Sequence, residues 1–101
     1  MDSNELKRSI RSAQEAIYAL ANEVSKTGED INDADAESLR KISLDLGDLC
    51  ERNLNNQVKA VNNQVKAEFL RHLLDAEQVI VKYRYYGRFY GQIESCISLL
   101  E

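Results

Sequence analysis

The chain has 101 residues, of which 44% are hydrophobic and 30% are charged, with a formal net charge of −4 and no proline. This is the composition of a single folded domain, and the acidic balance disfavours a protein that coats nucleic acid. The sequence has no signal-peptide pattern and no apolar run near the roughly 20 residues that cross a bilayer. We therefore expect a cytoplasmic protein that does not engage a membrane.

The first predicted element is a helix over residues 3–27. Its apolar residues recur at steps of four and three, which places them on one helical face. Asp2 is a suitable N-cap, with Glu5 three residues later as in a capping box, and Gly28 can adopt the left-handed conformation that ends many helices. The apolar face consists of Leu6, Ile10, Ala13, Ile17, Leu20 and Val24.

The second predicted helix covers residues 33–54. Asp33 and Asp35 place negative charge at the positive end of the helix dipole, and the short connection before them favours an antiparallel hairpin with the first helix. Asparagines in the segment 52–56 favour a break near 54–56. The alternative is one continuous helix into the next element, a rod of about 80 Å. The apolar face of this helix contains Leu39, Ile42, Leu46 and Leu49.

A third long helix is predicted over residues 57–86, continuing or kinked near Gly87 to reach residue 99. An apolar stripe with the alternating four-and-three spacing of a coiled coil runs through it. We expect an all-α antiparallel bundle of three long helices in one domain, 1–101, completed by homodimerisation. The stripe supplies the core or dimer seam, at Val58, Val65, Phe69, Val79, Tyr83, Tyr86, Tyr90, Ile93 and Ile97, with His72, Ala76 and Leu100 on the same face.

A duplicated segment lies at the start of this third predicted helix. The sequence Asn-Asn-Gln-Val-Lys-Ala occurs at 55–60 and again at 62–67. A seven-residue repeat restores the same helical face every two turns. One interpretation is a polar interface whose amides fix the register of pairing. The other, which we favour, is a tandem duplication whose amides face water.

Five of the seven aromatic residues lie between positions 83 and 90, mixed with basic residues. On a helix, the tyrosines at 83, 86 and 90 lie on the apolar stripe, so core packing is expected for them. The remaining side chains lie off the stripe, and tyrosine and arginine together are enriched at protein–protein hot spots. We name this set the aromatic-basic patch: Lys82, Arg84, Tyr85, Arg88 and Phe89.

The sequence offers no motif for catalysis or for a cofactor. It lacks a glycine-rich phosphate loop and a nucleophile motif, and its carboxylates are dispersed. His72 is the single histidine, and with Glu68 and Asp75 within a turn we expect a carboxylate-paired histidine rather than a metal ligand. Cys50 and Cys96 are expected to be buried free thiols rather than a disulfide. We therefore predict a protein that is not an enzyme and has no cofactor or metal.

The functional hypothesis is an adaptor, inhibitor or regulator that binds a protein partner through the aromatic-basic patch. A nucleic-acid-binding regulator that uses the same patch is the first alternative, because aromatic and basic side chains also stack on and neutralise single strands. The second alternative is a self-assembling or secretion-chaperone-like coiled coil, which the long apolar stripes suggest.

Overall fold

A computed structural model describes residues 3–27, 33–54, 63–82 and 87–100, and the side chains of 4–22, 33–52, 63–82 and 90–100. These residues form four α-helices and contain no β-strand, which confirms the all-helical class. The helices are α1 (Ser3–Thr27), α2 (Asp33–Leu54), α3 (Asn63–Ile80) and α4 (Gly87–Leu100).

The helices pack in a closed order, in which α1 contacts α2, α2 contacts α3, α3 contacts α4, and α4 returns to α1. The start of α2 meets the end of α3, where Lys82 approaches Asp35. The end of α4 meets the start of α1, where Leu99 and Glu5 line the same groove. α2 and α3 therefore run antiparallel, and so do α4 and α1.

The core is built from one apolar face of each helix. In α1, the described positions of the predicted stripe are all fully buried, and Ala16 and Ala21 widen that face because α1 contacts three other helices. Ser43 is the one buried polar side chain among the described residues, and its hydroxyl donates to the Gln14 carbonyl at 3.2 Å. That hydrogen bond removes the cost of burying the hydroxyl.

The buried face of α3 differs from the predicted seam. Leu73 and Ile80 are fully buried, whereas His72 and Val79 are only half-buried at the edge facing α2. The strict 3.5-residue period of a coiled coil selects positions 72 and 79, but a short straight helix has 3.6 residues per turn. Its buried positions are Val65, Phe69, Leu73, Ala76 and Ile80.

The third predicted helix, over 57–86 and continuing or kinked near Gly87 to 99, corresponds in the structure to two helices, α3 and α4, that pack against each other. A helix over 57–99 would be about 65 Å long at about 1.5 Å per residue. The longest dimension of the molecule is 44 Å. Folding the segment back buries the apolar faces of both halves.

α2 ends at Leu54 and packs side by side with α3, whereas positions 55–56 of the predicted break lie outside the described residues. The duplicated segment lies mostly at 55–62, outside the described residues, as do Val58 and the predicted cap at Asp2. Among the described helices, none is long and apolar enough to cross a membrane.

Candidate partner-binding site

The aromatic-basic patch lies where the chain passes from α3 to α4. Lys82 ends a short 3₁₀ turn that follows Ile80, and its side chain is 59% exposed. Arg88 and Phe89 belong to the first turn of α4, but their side chains lie outside the described set. Arg84 and Tyr85 lie wholly outside the described residues. The structure therefore fixes the two ends of the patch and describes one of its side chains.

Lys82 lies beside the first turn of α2. Its Nζ is 3.6 Å from Oδ2 of Asp35, whose side chain is 14% exposed. Asp33 is a second carboxylate in that turn, and both carboxylates stabilise the positive end of the helix dipole. An ion pair this exposed contributes about 1 kcal/mol or less to stability. Its main consequence is electrostatic, because a basic group of the patch lies directly beside an acidic helix start.

The described residues of the predicted seam are buried or partly buried within a single chain. Val65, Phe69, Ile93 and Ile97 are buried by helices of their own chain, with at most 5% exposed. Val79 and Tyr90 are partly buried against the same core. The remaining predicted seam residues, Val58, Tyr83 and Tyr86, lie outside the described residues.

Two open grooves were not predicted. The first lies between α1 and α4, has a volume of about 450 Å³, and its lining includes three serines together with Arg8, Cys96 and Leu99. The second lies between α2 and α3 and has a volume of about 540 Å³. A groove between two helices depends on how they pack, so no local sequence motif could have indicated either one.

His72 lines the groove between α2 and α3. Asp75 lies one turn away on the same helix, and Lys41 and Asp45 line the groove from α2. In the described part of the chain, no group of three or more histidine, cysteine, aspartate or glutamate side chains is arranged to hold a metal ion.

Both cysteines are free and buried, as predicted. Cys50 is fully buried in α2, and Cys96 is 7% exposed at the groove between α1 and α4, with Sγ 4.0 Å from the Ser9 carbonyl oxygen. Burial raises the pKa of the Cys96 thiol above its ordinary value of 9.0. The thiolate is the nucleophilic form of cysteine, so this environment suppresses reactivity.

Comparison of the chain with protein-family models, with curated proteins and with solved structures finds no match. Function is therefore inferred from the residues of this chain alone. The candidate site is the aromatic-basic patch of the sequence, whose composition is typical of protein interfaces, and the structure describes its exposed Lys82 beside Asp35.

Proposed function

We propose that this chain is a non-enzymatic, cytoplasmic protein-interaction module, an adaptor, inhibitor or regulator, that binds a protein partner through the aromatic-basic patch. Lys82, Arg84, Tyr85, Arg88 and Phe89 would make the contact. The combination of two large aromatic side chains with arginine supports this proposal, because such residues supply most of the binding energy at protein interfaces.

The contact between Lys82 and Asp35 favours a protein partner over a nucleic acid. A nucleic acid approaching Lys82 would bring phosphates towards the carboxylates of Asp35 and Asp33, which repel them. The net charge of −4 adds a long-range repulsion of the same sign. A protein surface that carries both signs of charge can instead complement the lysine and the carboxylates together.

The other parts of the proposal rest on different observations. Two free thiols suit a reducing compartment such as the cytoplasm. The absence of catalytic motifs in the sequence supports a non-enzymatic role. Homodimerisation is also proposed, and it would use surfaces other than the seam residues that are already buried within one chain.

The test is capture of partners from a lysate, with the protein immobilised through a tag on its N-terminus. The start of α1 lies beside the end of α4, so a tag there stays away from the patch at the start of α4. The lysate is applied with and without nuclease, to the wild type and to a Tyr85→Ala, Arg88→Ala double variant. The matched control is Tyr18→Ala with Arg71→Ala, which removes an exposed tyrosine and an exposed arginine elsewhere.

We expect a protein that survives nuclease treatment, binds the wild type and the control, and is lost with the patch variant. Once the partner is purified, the patch variant should bind it at least about tenfold more weakly, which corresponds to about 1.4 kcal/mol. Circular dichroism at equal concentration must show the same helicity for all three proteins. Capture that disappears with nuclease and weakens steeply with salt would instead support the nucleic-acid alternative. Equal capture by the patch variant would contradict the proposed site.

A further inference from the structure

We draw no further inference here: the strongest candidate, the uncharged outer face of α4 formed by Gly91, Ser95, Ser98 and Leu99 beside the groove against α1, is a stripe of small residues, and nothing in the structure shows what covers it.

Discussion

Leu73 and Leu74 are adjacent in α3 and differ mainly in burial. Leu73 is fully buried in the core, whereas Leu74 is 40% exposed. Truncating Leu73 to alanine should lower the free energy of unfolding by about 2–5 kcal/mol, because it removes apolar contacts and leaves a cavity. Leu74→Ala, with the same change in chemistry and helix propensity, should cost about 1 kcal/mol or less. Urea denaturation followed by circular dichroism measures both values.

A third variant, Val79→Ala, distinguishes the seam predicted from the sequence from the buried face that the structure shows for α3. If the coiled-coil seam through His72 and Val79 formed the core, Val79→Ala would cost more than Leu73→Ala. The burial pattern predicts the reverse order, since Val79 is only half-buried at the edge of the core. Equal losses for Leu73→Ala and Leu74→Ala would contradict the observed face.

Cys96 makes the stability of the fold depend on pH above its ordinary pKa of 9.0, because burial raises the pKa of this thiol in the folded state. Below that pH the thiol is protonated in both the folded and the unfolded chain, so its contribution to stability does not change with pH. At higher pH the unfolded chain loses the proton first, which favours unfolding. The stability that the buried Cys96 thiol contributes is therefore fully present below its ordinary pKa. It is lost as the pH rises towards the higher pKa of the thiol in the folded chain.

The measurement is the free energy of unfolding of the wild type and of Cys96→Ala, at about pH 8 and at about pH 10. Lysines and tyrosines also titrate over this interval, and the comparison with Cys96→Ala cancels their contribution. The wild type should lose more stability than the variant between the two pH values. Parallel curves for the two proteins would show that the thiolate is equally well accommodated in the folded state.

At the scale of whole helices, alanine at Gly91 and alanine at Gly47 should change the free energy of unfolding by different amounts. A Cβ added at Gly91 in α4 would meet nothing within 4 Å. Gly91→Ala should therefore raise the free energy of unfolding by about 0.5–1 kcal/mol through helix propensity alone. A Cβ at Gly47 in α2 would lie 2.7 Å from Nε2 of Gln14, so the Gln14 side chain must move, and the gain should be smaller or absent.

Thermal and urea denaturation of both glycine variants checks this order. The matched control combines Gly47→Ala with Gln14→Ala, compared against Gln14→Ala alone, which also loses the hydrogen bond from Arg11 to Gln14. Without the glutamine side chain, Gly47→Ala should recover the full gain in propensity. A loss of stability in Gly91→Ala would mean that α4 is not helical there or that its outer face is covered.

The sequence predicts the all-helical class because the chain lacks proline and carries apolar residues at helical spacing. It predicts the buried face of α1 well, since the large aliphatic residues Leu6, Ile10, Ile17 and Leu20 all lie on one helical face and are all buried. In α3, pairs such as Leu73 and Leu74 leave two registers open, and only contact with neighbouring helices selects one. The sequence leaves open whether the helix continues or is kinked near Gly87, because the heptad spacing continues through Tyr83, Tyr86 and Tyr90. The packing of α4 against α3 distinguishes them as two helices.

At the scale of the whole molecule, the candidate site could be predicted only in part. The aromatic-basic composition of 82–89 is visible in the sequence, and so are the carboxylates at 33 and 35. Their proximity is not, because it results from the antiparallel packing of α2 with α3, which brings Lys82 to Asp35. The mixture of positive and negative charge at this position is therefore a property of the tertiary fold.

Homodimerisation is the prediction that concerns the entire molecule. A chain of 101 residues buries only roughly 60–65% of its unfolded surface, so a second copy would add stability. Light scattering coupled to size exclusion should give a mass of twice 11.5 kDa at high concentration, falling towards 11.5 kDa on dilution.

Ile97→Ala should leave this mass unchanged, because Ile97 is 5% exposed and contributes to the core of its own chain. A mass of one chain at every concentration would contradict the dimer. A dimer that dissociates in Ile97→Ala, with helicity retained, would instead mean that the apolar stripe is shared between two chains.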